Sequence, residues 1–233
     1  MSLNKSAVRN AATVIVLRDR ADDPHVLMGQ RGATAAFMPN KFVFPGGALD
    51  PADAQILLAT PLPARCAARL AEDCAEDLAH AIAVAAIREL WEETGLILGQ
   101  PGHWAAPPPA DWQGFAASGL VPTAHGLQFV FRAITPPGRP RRFDARFLLV
   151  DAAEIANDLD DFSAAQDELS HLQWVPLAHA RSYDLPFITE VVLAEIAARA
   201  QDPAPPASVP FFRNDDEESL FLRLRGHLPQ TDA

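Results

Sequence analysis

The sequence predicts an α/β fold of the α+β kind, in which a mixed β-sheet lies between layers of helices. Three observations support this: apolar, β-branched segments of strand length recur, Ala-rich helical segments separate them, and no internal repeat is present. The chain has 233 residues, of which 49% are hydrophobic. This is enough for one well-buried core, so a single domain spanning residues 1–233 is the expected organisation.

The first half of the chain contains strand patterns followed by a long helical region. Ala11–Arg18 is apolar and β-branched, and His25–Arg31 has the composition of its hairpin partner. Lys41–Phe44 is a short extended segment that runs into a Pro-Gly-Gly turn at 45–47. Ala64–Leu98 favours helix, either as two helices or as one broken helix.

The second half is predicted to add a loop, strands and helices. These are a Pro-rich loop over Gln100–Gln113, a hairpin of Leu127–Ile134 with Phe143–Val150, a short strand at Leu172–Val175, a small helix near Ala178 and an amphipathic helix over Pro186–Ala200. Residues 202–233 form a Pro-rich and then acidic C-terminal tail, with Leu220–Leu224 as a predicted edge strand.

Composition and charge exclude several classes of partner. The net charge of −11 opposes binding to the nucleic-acid backbone, although arginines and divalent cations can still attract a small anion locally. No apolar run reaches the length of a membrane span, and the N-terminus lacks a signal-peptide core, so we expect a cytoplasmic protein without membrane contacts. Cys66 and Cys74 form no metal-binding pattern and are expected to be reduced thiols.

The segment Arg88-Glu89-Leu90-Trp91-Glu92-Glu93-Thr94-Gly95-Leu96 contains the residues best suited to chemistry. On a helix at about 100° per residue, Glu89, Glu92 and Glu93 fall on one face together with Arg88, and the opposite face is apolar. Clustered carboxylates repel one another unless a cation neutralises them, and Mg²⁺ prefers such oxygen ligands. A solvated acidic helix face is an equally good interpretation of this segment taken alone.

A Gly-Gly turn precedes this helix, at Gly46 and Gly47. Glycines allow the backbone to approach a ligand closely, although an ordinary turn would look the same in isolation. Taken together, the turn and the helix resemble the Nudix box, in which a glycine is followed after five residues by an acid and later by R-E-U-x-E-E-x-G-U, where U is aliphatic. The matching residues are Gly47, Arg88, Glu89, Leu90, Glu92, Glu93, Gly95 and Leu96.

Two features depart from the usual Nudix box. The first acid is Asp53 where the family usually has Glu. The family normally has seven residues between that acid and the arginine, whereas 34 residues separate Asp53 from Arg88, which implies an insertion at residues 54–80. A long insertion at this point resembles the branch that contains the peroxisomal coenzyme A diphosphatases, as does Phe37-Met38-Pro39.

The resemblance implies a Nudix-type α/β/α sandwich and a metal-dependent hydrolase that acts on phosphorus-containing anhydrides. Glu89, Glu92 and Glu93, with the carbonyl of Gly47, would bind Mg²⁺ or Mn²⁺, and Arg88 would orient a glutamate. The general base would be a glutamate of the box or Glu168, which precedes the Leu172–Val175 strand. An exposed loop acid is the alternative interpretation of Glu168.

Arg31, Arg142 and Arg146 are candidate phosphate-binding residues, because the planar guanidinium fork suits phosphate. Arg31 ends a predicted strand that points toward the Gly-Gly turn and is the first choice. For Arg142 and Arg146, a surface ion pair is the alternative.

The expected partner is a small nucleotide-linked molecule, with coenzyme A or an acyl-CoA as the first choice and ADP-ribose or NADH as alternatives. A non-catalytic ligand-sensing Nudix domain and a cysteine-dependent isomerase of the same fold are competing functions. A homodimer is left open.

The insertion either forms a wall of the cleft for the non-phosphate part of the substrate, or is a peripheral decoration or dimer contact. Its acids, Glu72, Asp73, Glu76 and Asp77, are expected to face solvent on a helix.

Overall fold

The computed structural model describes residues 7–35, 38–74, 77–214 and 219–226. Phe37 and Glu76, both named above, lie outside the described residues, as do residues 215–218 and 227–233 of the expected C-terminal tail. Among the residues described, no helix combines the length and the apolarity that crossing a bilayer requires.

Eleven strands and four α-helices are present in the described part of the chain. The strands are β1 (Val8–Arg18), β2 (His25–Arg31), β3 (Phe42–Val43), β4 (Gly46–Ala48), β5 (Gly99–Pro101), β6 (Leu120–Pro122), β7 (Gln128–Ile134), β8 (Arg142–Asp151), β9 (Leu169–Pro176), β10 (Val209–Asn214) and β11 (Ser219–Leu224). The helices are α1 (Ala64–Ala71), α2 (Ala79–Thr94), α3 (Gln113–Ala117) and α4 (Phe187–Arg199), and short 3-10 helices cover Pro51–Gln55, Ala110–Trp112, Ala152–Glu154 and Ala180–Ser182.

Nine of the described strands form one mixed sheet in the order β11-β10-β7-β8-β1-β2-β3, with β4 paired to β1 and β9 paired to β2. The predicted hairpins β1–β2 and β7–β8 are confirmed as antiparallel pairs. The long parallel pairing of β1 with β8 joins these two hairpins, and β10 pairs in parallel with β7. The mixed sheet and its covering helices confirm the predicted fold class.

Alternation along β1 divides the interior into two cores. Ala12, Val14 and Val16 face the core that contains α2, whereas Ile15 and Leu17 face the core that contains α4. This follows from the two-residue period of a strand, whose successive side chains point to opposite faces of the sheet. Helix α2 lies close to the sheet because its buried face is built largely from alanines.

Several elements differ from the sequence-based expectation. Strand β10 lies in a segment that was predicted to be part of the tail, where neighbouring prolines hide a short apolar pattern. Gln100–Gln113 is not loop throughout, because β5 begins at Gly99 and pairs with β6, and a 3-10 helix covers Ala110–Trp112. Strand β9 extends beyond both ends of Leu172–Val175 because it pairs along most of β2.

The insertion forms helix α1, which connects the helical layer to the C-terminal strands. Arg69 is buried and donates hydrogen bonds to the carbonyls of Ala207 and Arg225. The expectation of a solvated acidic helix is wrong for Glu72, which lies just after α1 and accepts hydrogen bonds from the backbone N–H groups of Arg225 and Gly226. The Glu72 carboxylate is therefore hydrogen-bonded to backbone N–H groups just after β11.

Candidate active site

Helix α2 presents its carboxylates to strand β4. The helix ends as predicted at Gly95, which has φ 75° and donates its backbone N–H to the Trp91 carbonyl. The left-handed backbone conformation at this position costs little energy for glycine, since glycine has no Cβ. The last two turns of the helix contain Glu89, Glu92 and Glu93, and the sheet side of the helix is apolar, as the sequence predicts.

Arg88 is the centre of a network of carboxylates. Its Nη1 donates to Glu89 Oε1 at 2.8 Å and to Glu92 Oε2 at 3.0 Å. Its Nε and Nη2 donate to the two carboxylate oxygens of Asp53 at 2.8 and 3.1 Å, and Nη2 also reaches the Ala48 carbonyl at 3.2 Å. One guanidinium thus fixes the positions of three acids and of the strand that contains Gly47.

The structure explains the presence of Asp53 at the position of the usual glutamate. Asp53 is fully buried, with 0% exposure, and forms the bidentate ion pair with Arg88. Its Oδ2 also accepts the backbone N–H of Asp50 in a reciprocal capping box at the start of the 3-10 helix. Asp53 therefore positions Arg88 and has no free oxygen directed at the cleft.

The Gly-Gly turn lies directly against the acids of α2. A Cβ built on Gly47 would lie 2.4 Å from Glu89 Oε1, which is far inside van der Waals contact. The backbone N–H of Gly46 donates to Glu93 Oε2 at 2.7 Å. Only a residue without a side chain allows strand β4 and the Glu89 carboxylate to approach this closely.

Glu93 is the least compensated acid of the group. It is only 2% exposed, and its Oε1 has no hydrogen-bond partner within the described structure. Burial, reinforced by the nearby Glu89, raises the pKa of Glu93 well above its ordinary value, against the opposing hydrogen bond from Gly46. This side chain holds an oxygen available for another ligand.

The pKa values of the other two acids are also raised. Burial raises the pKa of Glu89 to about 7, although Arg88 opposes the shift. Burial likewise raises the pKa of Glu92, again against Arg88. Arg88 alone does not offset the cost of burying this many carboxylates, so the site lacks positive charge.

The donor set fits a hard divalent cation, which takes carboxylate and carbonyl oxygens. Hydrolases of the Nudix family generally use such ions. Among the described residues no three acidic, histidine or cysteine side chains are grouped so that they could hold a metal ion, and Arg88 pairs with two of the candidate ligands, Glu89 and Glu92. The fit therefore depends on the orphaned Glu93 oxygen and on the proximity of Glu89 to Gly47.

A cleft of about 730 Å³ opens beside the Gly-Gly turn, on the face of the sheet opposite to α2. Gly46, Gly47, Arg31 and Glu168 line it. Arg31 Nη2 lies 3.1 Å from Glu168 Oε1, and the charge of Glu168 contributes to the raised pKa of Glu89. The structure therefore brings the predicted phosphate-binding Arg31 and the predicted base Glu168 together, close to the acids of α2.

The two other predicted phosphate-binding arginines lie elsewhere. Arg146 is 1% exposed and is bonded to Asp144, Asn10 and the Cys74 thiol on the helix α1 side of the sheet. Both earlier interpretations of Arg146 are wrong, because a two-residue period turns it away from the cleft and burial excludes a surface ion pair. Arg142 donates to backbone carbonyls of Thr135 and Asn214 and does not line the cleft.

The lining of the cleft excludes the insertion and includes basic residues from other segments. None of the described insertion residues lines it, so of the two alternatives for the insertion, the structure opposes a wall of this cleft: α1 packs on the other face of the sheet. Three basic residues that no sequence motif indicated, Arg9, Arg139 and Arg141, also line the cleft. The alternation of β1 places Arg9 on the same face as Ala11 and Thr13, and could have identified this residue.

The fold and the site together define a class of protein, in which an R-E-x-x-E-E helix lies against a glycine turn of a mixed sheet. No protein-family model matches the chain. A Caenorhabditis elegans protein named as nudix hydrolase 7 is 30% identical over 199 residues, covering 78% of this chain. The match spans 58% of the length of the worm protein.

A solved structure gives a more complete match. The crystal structure of a NUDIX hydrolase from Alicyclobacillus acidocaldarius has a TM-score of 0.60 and 30% sequence identity to this chain. The match covers 84% of this chain and 94% of that one. The chain belongs to the Nudix hydrolase family.

Proposed function

We propose that the protein is a metal-dependent hydrolase that cleaves a phosphoanhydride bond in a nucleoside-diphosphate-linked substrate. The observation that supports this best is the buried, unpartnered Oε1 of Glu93, next to Glu89 and the Gly-Gly turn at the edge of the cleft. An unsatisfied buried carboxylate oxygen is costly for stability, and a bound cation would satisfy it.

Glu89, Glu92 and Glu93, with the Gly47 carbonyl, would hold Mg²⁺ or Mn²⁺. When bound, the ion would neutralise charge that develops on the phosphates and would make the attacking water more acidic. The contribution of Arg88 is to hold Glu89 and Glu92 in position through one nitrogen, while Asp53 fixes the guanidinium itself. Positioning of this kind lowers the cost of reorganisation during the reaction.

Arg31 and Glu168 are the proposed groups on the cleft side. The guanidinium of Arg31 would bind a phosphate oxygen of the substrate, since it already lies in the wall of the cleft. Glu168 would accept the proton of the attacking water, with a glutamate of α2 as the alternative acceptor. Substrate phosphate would compete with Glu168 for Arg31 and would free the Glu168 carboxylate for this role.

Coenzyme A or an acyl-CoA is the proposed substrate, with ADP-ribose and NADH as alternatives. The support is the similarity of the inserted Nudix box to the coenzyme A diphosphatase branch and the volume of the cleft, about 730 Å³, which suits a molecule of this size. The isomerase alternative has no support from the cysteines: Cys66 is buried in the α2 core, Cys74 contacts Arg146, and neither lines the cleft.

The test is a substrate panel with Mg²⁺ or Mn²⁺, in which the phosphate-terminated products are identified by mass spectrometry. Coenzyme A, ADP-ribose and NADH are compared, using Glu92→Gln, Glu93→Gln and the matched control Glu195→Gln on α4. Hydrolysis that requires the metal and both α2 carboxylates supports the proposal. If the protein binds a compound of the panel tightly and hydrolyses none of them, it is instead a ligand-sensing domain.

A further inference from the structure

The end of the cleft away from the Gly-Gly turn contains a group of arginines, here called the distal arginine cluster: Arg9, Arg139 and Arg141. Arg9 lies near the start of β1, and Arg139 and Arg141 lie in the loop that leads into β8. The parallel register pairs Arg9 with Phe143, two residues after Arg141. The three arginines therefore gather at one rim of the sheet.

The register of β1 gives the distance between this cluster and the Gly-Gly turn. Thr13 is the partner of Gly46 in the pairing of β1 with β4. Arg9 lies four residues before Thr13 and three residues before Ala12, the partner of Gly47, which corresponds to roughly 10–13 Å at about 3.3 Å per residue. A diphosphate positioned at the turn would leave the cluster free for a different anionic group.

The wall between the two ends is largely apolar and aromatic. Phe143 is level with Arg9, and Phe147 is level with Thr13, because β8 runs parallel to β1. Phe212 and the exposed Phe187 add further aromatic rings to the lining. Such a surface suits the base and sugar of a nucleoside, which stack and bury apolar area.

The charges of the cluster have no counter-charge among the residues that the structure describes. Among the described residues, none of the three guanidinium groups has a hydrogen-bond or ion-pair partner, and Glu168 at the opposite end is the single acid in the cleft lining. The cluster therefore concentrates positive charge at one end of the cleft, in a chain whose net charge is −11. Arginine forks bind phosphate in a bidentate manner, so the geometry favours a phosphate group.

We propose that the distal arginine cluster binds a phosphomonoester on the nucleoside part of the substrate, separate from the diphosphate. The proposal rests on the proposed function, since it assumes that the diphosphate lies at the Gly-Gly turn. It names a substrate class, nucleoside-diphosphate derivatives with an additional 2′- or 3′-phosphate. It also assigns selection for that phosphate to three residues outside the α2 motif.

Binding to the full chain without metal tests the cluster independently of catalysis. Calorimetry would compare AMP with adenosine 3′,5′-bisphosphate and adenosine 2′,5′-bisphosphate. We expect one of the bisphosphates to bind at least about tenfold more tightly than AMP. The triple variant Arg9→Ala/Arg139→Ala/Arg141→Ala should lose this preference, whereas Arg65→Ala, an exposed arginine on α1 across the sheet, should retain it. Equal affinity for AMP and both bisphosphates, or a preference that survives the triple variant, would overturn the proposal.

Hydrolysis separates this proposal from the proposed function. Two pairs of compounds differ by one phosphomonoester: coenzyme A and dephospho-coenzyme A, and NADPH and NADH. We expect the ratio of kcat/KM within at least one pair to favour the phosphorylated member by about tenfold, and to approach unity in the triple variant. Hydrolysis with equal kcat/KM within both pairs contradicts the cluster assignment alone, whereas no hydrolysis of any compound contradicts the proposed function.

Discussion

Replacement of Asp53 by alanine should destabilise the fold by about 3 kcal/mol, near the lower end of the range for breaking a buried ion pair. Asp53 is fully buried and makes two hydrogen bonds to Arg88, so its removal leaves part of a buried guanidinium without a partner. Arg88 retains its contacts with Glu89 and Glu92, which limits the loss. The loss of the capping box adds to it.

The measurement is urea-induced unfolding of the metal-free protein, with the free energy of unfolding extrapolated to water and the m-values compared. Asp50→Ala is the matched control, because it removes the side-chain cap from the same 3-10 helix and leaves the bidentate pair intact. We expect this control to cost about 1 kcal/mol. If Asp53→Ala costs no more than Asp50→Ala, the bidentate pair of Asp53 with Arg88 does not stabilise the fold.

Three further predictions concern the α2 acids and the glycine turn. Glu93→Gln should lower turnover by at least about a hundredfold while stabilising the metal-free protein, because it removes the charge of a buried carboxylate whose Oε1 has no partner. Native turnover in a folded variant would exclude Glu93 as a metal ligand. In chelator-treated protein, Glu89 should contribute a loss of about 3 kcal/mol of stability as the pH rises from about 4.5 to about 7. The reason is that burial raises the pKa of Glu89 to about 7, so the folded state retains a proton that the unfolded chain releases. Unfolding measured across that pH range should show a smaller slope for Glu89→Gln, and equal slopes would refute this origin. Gly47→Ala should abolish turnover and lower the free energy of unfolding by about 1–3 kcal/mol, since its Cβ would overlap the Glu89 carboxylate. The control Gly32→Ala, where a Cβ meets nothing within 4 Å, should change neither turnover nor stability. A folded and active Gly47→Ala variant would show that the close approach of Gly47 to Glu89 is not required.

The insertion has a structural position that its sequence does not reveal. Its helix α1 contributes Cys66 and Leu70 to the α2 core, and Arg69 bonds to the carbonyls of Ala207 and Arg225. These contacts join segments that are more than 130 residues apart in the chain. We therefore expect that a variant without α1 loses the attachment of the C-terminal strands to the rest of the fold, and that this effect is larger than any change in substrate choice.

The helix with its acids, the glycine at its end and most of the strands follow from the sequence by itself. The reason is that a helical or strand period is a local property: spacing alone places Glu89 and Glu93 on one face and ends α2 at Gly95. The same periods identify β1, β2, β7 and β8. The Nudix resemblance also depends on residues within one such segment and one turn.

Tertiary structure decided which charged groups meet. Asp53 and Arg88 are 35 positions apart, and their pairing depends on how the insertion leaves and re-enters the fold. Arg9 and Arg146 both lie on long strands, yet the pleat directs Arg146 into a buried ion pair with Asp144 and Arg9 into the cleft. A long-range parallel pairing, β1 with β8, sets that difference, and no local pattern in either strand specifies its register.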